Sequence, residues 1–351
     1  MPGFKHKSND LIVFGPLPLP SGGISTFVFR LVKYIRIHYP SKLIEVVDVY
    51  KGRKVVTHNL VHHNYSFFLG RLLAILHIYL SVKFGNSFCF WNSSTLKGIL
   101  PLLLLPKYSY SLIIHDGSQD LEKFTSLPII FRLLIVHVLR RSKYLFSISE
   151  SHSKLFSHFG INSFSFTTGL VPCSSLFTAN QTQERHSKFP RTSILASGYC
   201  VPFYRHEFTI KLASYYPDLQ FHICLYGDSD SKYLHFLLHC ATDLNNVHFY
   251  FNMNEDQFSY MIHKCHVYLR TSDVDSWCIA HSDASFAGLK VIASDACPRM
   301  KNTILFSKSS FSSLLLAFHS LESVRVPDLQ ELLSDDKIRD TLHCIELICN
   351  Q

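Results

Sequence analysis

Two carboxylates, Asp275 and Asp283, stand with seven residues between them in the stretch 271–299, TSDVDSWCIAHSDASFAGLKVIASDACPR. Gly288 follows, then an apolar run, Val291-Ile292-Ala293, closing on Ser294-Asp295. A helix over 281–287 puts Asp283 on its first turns and Asp275 on the loop that feeds its N-terminus. Free N–H groups at such an end favour an anion. A carboxylate just inside the helix offers two acceptor oxygens, enough to grip vicinal sugar hydroxyls. The chemistry this suits is recognition of a nucleoside diphosphate sugar, with phosphate at the helix tip around Ala280, His281 and Ser282 and ribose on Asp283. The same two aspartates would also serve as a helix N-cap and a solvated face.

Three further loops carry candidate chemistry. Ser21-Gly22-Gly23 closes a strand and opens a helix, so unhindered N–H groups can approach a phosphate there; a plain turn explains the pattern equally well. No G-x-G-x-x-G occurs, which removes the fingerprint a dehydrogenase would need. His115-Asp116-Gly117 ends a strand. Its histidine either bonds a sugar hydroxyl or caps the strand, and Asp-Gly is a common turn pair. After Gly198 comes Arg205, whose guanidinium suits bidentate phosphate binding, or which simply sits on the surface where a helix starts. Asp228-Ser229-Asp230 has the spacing of a metal-binding pair but lies in a turn after Gly227, and no metal site is expected there.

The stretch 271–299 resembles the C-terminal signature of glycosyltransferase family 4, retaining enzymes of the GT-B fold: an acid, seven residues, a glutamate, a small-residue helix, a glycine and a strand close to V-I-A-S-D. The second acid here is Asp283 where the family has glutamate, one methylene shorter. Ser21-Gly22-Gly23-Ile24 resembles the family's N-terminal glycine loop, which lies against the donor diphosphate and the acceptor. His115 matches a histidine that bonds the donor sugar, and Ser149-Glu150 matches a serine–glutamate position. After Gly198 the family's usual arginine is replaced by Tyr199, which leaves Arg205 as the basic candidate. The resemblance thus implies catalytic roles for His115, Asp275 and Arg205. It implies donor binding by Gly22, Gly23, Gly198, Ala280, His281, Ser282 and Asp283, with retention of anomeric configuration and no metal or other cofactor.

The expected activity is transfer of a sugar from a nucleotide-diphosphate donor to an acceptor hydroxyl. The acceptor is a glycan or a lipid-linked glycan in cell-surface polysaccharide assembly, such as O-antigen or capsule. Two other readings stay open. A non-catalytic nucleotide-sugar-binding GT-B protein is favoured by the departures at Asp283 and Tyr199. A sugar-nucleotide epimerase would convert its donor with no acceptor added.

These loops must be held by elements, and the chain alternates short apolar strands with helices throughout, the pattern of parallel sheets covered on both faces. Strands are expected at 11–14, 43–49, 87–91, 111–114, 144–149, 193–198, 220–227, 247–251, 267–270 and 291–295. Helices are expected at 24–38, 67–82, 95–105, 128–141, 151–159, 207–216, 233–241, 255–265 and 327–350. The expected fold is α/β, two Rossmann-like parallel-sheet domains facing a central cleft. The N-terminal acceptor-binding domain covers 1–180 and the nucleotide-sugar domain 190–330, joined by the polar stretch 178–191. Residues 331–351 form a helix expected to pack back toward the first domain.

Composition sets the outer bounds. At 351 residues, 47% hydrophobic and 17% charged, the chain has ample material for two cores and no tendency to disorder. Residues 1–185 hold 20 Lys and Arg against 8 Asp and Glu, whereas 186–351 hold 14 against 18. A basic first half fits an anionic membrane surface or a phosphate-bearing substrate. No nucleic-acid-binding pattern accompanies the charge, so nucleic acid is not an expected partner. Ten cysteines without a C-x-x-C pair read as buried thiols of a reducing compartment. The 21 histidines show no metal-ligand spacing, and His62-His63 reads as a surface pair. No secretory leader and no spanning run of about 20 apolar residues is present. The expected location is the cytoplasm, at the inner face of the membrane where the first domain touches it peripherally.

Overall fold

The computed structural model describes residues 11–18, 22–50, 60–115, 120–171, 193–227, 230–323 and 336–351, with isolated positions at 325–326, 331–332 and 334. The expected linker at 178–191 lies outside them, as do Ser21, Asp116, Gly117, Asp228 and Ser229. Two compact units form: residues 1–171 with 336–351, and residues 172–335.

The first unit is built on seven parallel strands in the order β3-β2-β1-β4-β5-β6-β7. These are β1 (Leu11–Phe14), β2 (Ile44–Asp48), β3 (Leu60–Asn64), β4 (Phe88–Ser93), β5 (Tyr110–Ile114), β6 (Leu145–Ser147) and β7 (Phe164–Ser165). Helices α1 (Gly23–His38), α2 (Gly70–Gly85), α3 (Asp120–Thr125), α4 (Ile129–Arg141) and α5 (Glu150–His158) make the crossovers. Strand alternation divides the apolar residues between two faces. Ile12, Cys89, Trp91, Leu112 and Ile114 pack with Ala74 and Ile78 of α2 and Ile135 and Leu139 of α4. The final helix, Asp336–Cys349, belongs to this unit. Its Thr341 hydroxyl accepts from Thr167 N at 3.1 Å and its Cys344 thiol donates to Ser165 O at 3.4 Å.

The second unit carries six parallel strands, β10-β9-β8-β11-β12-β13. They are β8 (Ser193–Tyr199), β9 (Gln220–Tyr226), β10 (Val247–Phe251), β11 (Val267–Arg270), β12 (Lys290–Ser294) and β13 (Thr303–Phe306). The helices are α6 (His206–Tyr215), α7 (Ser231–Cys240), α8 (Glu255–Lys264), α9 (Ile279–Phe286) and α10 (Phe311–His319), so the final helix is α11. Ile194 and Ala196 face Leu212 of α6 and Leu314 of α10, while the intervening Leu195 faces Met261 of α8 and Ala284 of α9.

The structure differs from the sequence expectations in several places. Residues expected as a helix at 95–105 form a 3-10 stretch, Leu96–Leu104, because Pro101 lies inside it and has no N–H to give to an α-helical ladder. The strands β3, β7 and β13 and the helices α3 and α10 were not expected. His62 and His63 are not a surface pair. They fall on successive positions of β3 and therefore point to opposite faces; His62 is buried beside Asp48, with Nε2 3.7 Å from Oδ2, and His63 turns to Glu45.

Candidate functional site

In open parallel sheets, ligands bind outside the carboxyl ends of the strands where the strand order reverses. In the second unit that point lies between β8 and β11. Gly198 is near the end of β8, and a Cβ there would stand 2.2 Å from the Tyr204 ring, so only glycine lets that ring close over the strand. Arg270 is the last residue of β11. Its Nη1 donates across to Ser197 O at 2.6 Å, and its plane stacks over Tyr204 with 4.5 Å from guanidinium carbon to ring centroid.

Arg270 is fastened to Asp275 by two bonds, Nε to Oδ2 at 2.9 Å and Nη2 to Oδ1 at 3.2 Å. A second guanidinium arrives from the loop after β12: Arg299 Nη1 donates to the same Oδ2 and to Trp277 O, each at 3.1 Å. Ser272 Oγ adds a third donor to Oδ2 at 3.1 Å, and Ser276 N donates to Oδ1 at 3.1 Å. Burial alone would raise the Asp275 carboxyl pKa, but the two arginines overcome it and hold the group well below the usual carboxylate range. The same pairing keeps both guanidiniums firmly charged against their own burial. Two cations thus meet one anion among buried side chains, leaving one positive charge in excess. Arg299 Nη2 is buried and has no hydrogen-bond partner among the described residues.

Helix α9 starts at this cluster. Its N-cap, Cys278, has φ 71° and ψ 98°, a backbone conformation that costs an L residue on the order of 1–3 kcal/mol and persists only where neighbours dictate it. The helix ends at Gly288, φ 77°, in a paired-carbonyl stop: Leu289 N donates to Ala284 O at 2.9 Å and Gly288 N to Ser285 O at 3.0 Å. Between these ends the side chains are fixed from within. Trp277 Nε1 donates to Ser282 Oγ at 2.7 Å, and His281 Nε2 meets Thr303 Oγ1 at 2.7 Å. Burial first, and then Arg299, lowers the His281 pKa to about 3, so the ring is neutral. Asp283 is buried, 4% exposed, and its charge adds to the effects that raise the Tyr226 phenol, behind burial and Cys224.

The structure therefore brings Gly198, Asp275, Ala280, His281, Ser282 and Asp283 to one end of the second sheet. Asp275, expected as a catalytic carboxylate, has both oxygens taken by arginines and serines. Arg205, expected to face a diphosphate, donates through Nε to Asp273 Oδ2 at 2.5 Å. Arg270 and Arg299 were not expected at all; one ends β11 and the other lies in the loop after β12, and only the parallel pairing of β11 with β12 brings them side by side.

In the first unit the corresponding reversal lies between β1 and β4. Gly22 caps α1 in extended backbone and its N–H donates to Ser25 Oγ at 2.9 Å, while Gly23 is exposed with open space around it. His115 follows β5, half-buried, with Nε2 3.1 Å from Asn92 Oδ1 and its ring 5.1 Å from Phe27 of α1. Burial lowers its pKa to about 3, with His152 adding to the effect. Asn92 in turn donates to Phe14 O at 3.0 Å, tying β4 to the end of β1.

Two units of this kind, each an all-parallel sheet with helical crossovers and one reversal of strand order, define the GT-B fold. Residues 182–308, a little over a third of the chain, match the family described as Glycosyl transferases group 1. The chain is similar throughout its length to Anabaena Alr3699/HepE, solved in complex with UDP and glucose, at TM-score 0.70 and 14% identity over 97% of this chain and 100% of that one. Sucrose-phosphate synthase from Thermosynechococcus elongatus aligns at TM-score 0.68 and 12% identity over 98% and 97% of the two chains. WaaG, a glycosyltransferase involved in lipopolysaccharide biosynthesis, aligns at 0.63 and 10% over 96% and 99%. At these identities the likeness establishes the fold. No curated protein matches the sequence.

Proposed function

We propose that this protein is a glycosyltransferase that moves a sugar from a nucleotide-diphosphate donor to an acceptor hydroxyl. The observation that carries the reading is the buried Arg270–Asp275–Arg299 cluster, which holds one uncompensated positive charge and an unpartnered guanidinium nitrogen at the strand-order reversal. It falls inside the segment that matches Glycosyl transferases group 1. Departure of a nucleoside diphosphate gathers negative charge on its oxygens, and preorganised donors stabilise that charge as it develops. Arg299 Nη2 and the first N–H groups of α9 supply such donors. Asp275 acts as a positioning residue, since its oxygens are spent holding both guanidiniums. Asp283 is proposed for the ribose, Gly22, Gly23 and His115 for the donor phosphates and sugar, and Arg205, released from Asp273, for the leaving group.

The finer parts of the proposal are a retaining, metal-independent reaction and a lipid-linked glycan acceptor in cell-surface polysaccharide assembly. Contact with an anionic membrane through the first unit is supported by its surface. Phe68 is 99% exposed, and Leu72, Leu76, Leu80 and Phe84 of α2 and Ile129, Ile130 and Leu133 of α4 are also exposed, with Arg71, Lys83 and Arg140 among them. No helix of the described residues is long and apolar enough to cross a membrane.

The test is release of nucleoside diphosphate from a panel of nucleotide sugars, with and without lipid-linked acceptors, at native Arg299 and in Arg299→Lys and Arg299→Ala. Alanine should lower kcat by about 100-fold or more, the range for loss of one preorganised donor, and lysine should recover part of it. Product anomer and activity in chelator read out retention and metal independence. Failure of every donor to bind or turn over would sink the reading; donor conversion without acceptor would replace it with epimerisation.

A further inference from the structure

A second cluster of chemically capable side chains lies within the first unit and plays no part in the transfer reading. Glu45 of β2, His63 of β3 and His77 of α2 converge so that one carboxylate oxygen and two imidazole nitrogens all lie within 4.8 Å of one another. Glu45 Oε1 is 2.9 Å from His63 Nε2 and 2.6 Å from His77 Nε2. The parallel register explains the meeting. Glu45 pairs with Val61 and Val47 with His63, so Glu45 and His63 share one face of the sheet, a pleat apart, and α2 covers that face.

We propose that Glu45, His63 and His77 form a binding site for a divalent transition-metal ion of the Zn2+ class. Two imidazoles and one carboxylate are the donor set such an ion takes when one coordination position stays open to water. The supporting groups are also in place. His77 Nδ1 lies 2.8 Å from Tyr65 OH, and a phenol hydroxyl can accept from Nδ1–H as readily as it donates to bare Nδ1. With Nε2 donating to Glu45, Nδ1 accepts from the phenol; when a metal takes Nε2 the ring proton would move to Nδ1 and the same phenol would accept it, as the outer partner of a ligating histidine. His63 and His77 are partly exposed, which leaves an entry path for the ion and for a water. Donor atoms around a tetrahedral Zn2+ sit roughly 3.4 Å apart, given bonds of about 2.1 Å. Binding would open the two carboxylate–imidazole contacts, 2.9 and 2.6 Å, toward that spacing by small side-chain rotations on the partly exposed histidines. An occupied site would clasp the edge strand β3, the inner strand β2 and helix α2 together.

The experiment uses the full chain freed of metal with chelator. Zn2+ alone is titrated against a chromophoric zinc indicator, on native protein, on His63→Ala, His77→Ala and Glu45→Gln, and on Tyr65→Phe. Native protein should show one saturable site per chain. Each ligand variant should lose at least about tenfold in affinity and Tyr65→Phe a smaller amount, while circular dichroism of the variants stays native. Co2+ should give the visible absorption of a four-coordinate nitrogen–oxygen site, and Mg2+ should not compete. Binding that persists unchanged in the His63→Ala,His77→Ala double variant, or no saturable site on native protein, would overturn the proposal and leave a hydrogen-bonded triad only. Neither result bears on sugar transfer, which depends on the other unit's arginine cluster.

Discussion

At the scale of single residues, the finding is that the most conspicuous acid of the sequence is the centre of an ion-paired knot. Asp275 accepts from Arg270, Arg299 and Ser272, one arginine from the end of β11 and the other from the loop after β12. Deleting the charge strands two buried guanidiniums, and breaking such a pair costs about 3–5 kcal/mol because the remaining charge is uncompensated. Asp275→Asn should therefore shift urea unfolding to markedly lower midpoints by about that much. An unchanged midpoint would mean the knot does not hold the β11 and β12 loops together. Asp275 and Asp283 were legible in the sequence because their spacing is local. The arginines were not, since Arg270 and Arg299 lie far apart along the chain and each alone reads as an ordinary surface cation. Replacement of glutamate by Asp283 leaves a shorter carboxylate that is nearly closed off by packing, and any ribose contact must be made from that buried position.

At the scale of elements, alternation of apolar strands with helices was enough to place nearly every strand of both sheets. The misses have separate physical causes. β3 reads LVHHN, only two apolar residues in five, because it is an edge strand whose burial depends on one neighbour and on α2. Pro101 sits in an otherwise helical-looking apolar run and tightens it to 3-10 geometry. Helix α2 was legible as apolar, but not which of its faces is covered. Ala74, Ile78 and Val82 are buried while Leu72, Leu76, Leu80 and Phe84 are exposed, so the helix is apolar on both sides. Large exposed apolar patches mark interaction sites, and the membrane contact proposed for this one rests on the basic residues of α2 and α4, each worth about 1 kcal/mol near an anionic lipid surface. Sedimentation with vesicles rich in anionic phospholipid should retain the native chain and release it in high salt. The variant Phe68→Ser,Leu72→Ser should bind at least about tenfold more weakly, since each buried methylene contributes about 0.8 kcal/mol. Equal binding to neutral and anionic vesicles, or none to either, would remove the membrane from the proposal.

At the scale of the whole molecule, the balance of buried histidines sets how the fold responds to acid. Burial lowers the pKa of His206 to about 4, with a Tyr199 carbonyl contact opposing it only in part, and those of His115 and His281 to about 3. In the unfolded chain each returns to about 6.5. Below that value the unfolded chain binds protons that the native one refuses, so these groups contribute their full stability above about pH 6.5 and lose it as pH falls toward 3–4. Each fully excluded proton is worth about 1.4 kcal/mol per pH unit. Asp275 acts in the same direction but outside this window: its pKa is depressed, so its contribution is present above about pH 4, is lost below it, and stays constant between 7 and 5. Stability measured by urea unfolding should accordingly fall from pH 7 to pH 5, and His206→Gln should flatten the slope by up to about 1.4 kcal/mol per unit. Protonation of exposed histidines on a chain already at +8 adds self-repulsion of the same sign. Salt separates the two causes, because it screens repulsion between exposed charges and leaves the exclusion of protons from buried rings untouched. A fall that survives in 0.5 M salt belongs to the buried histidines, and one that vanishes there would assign the acid sensitivity to surface charge instead.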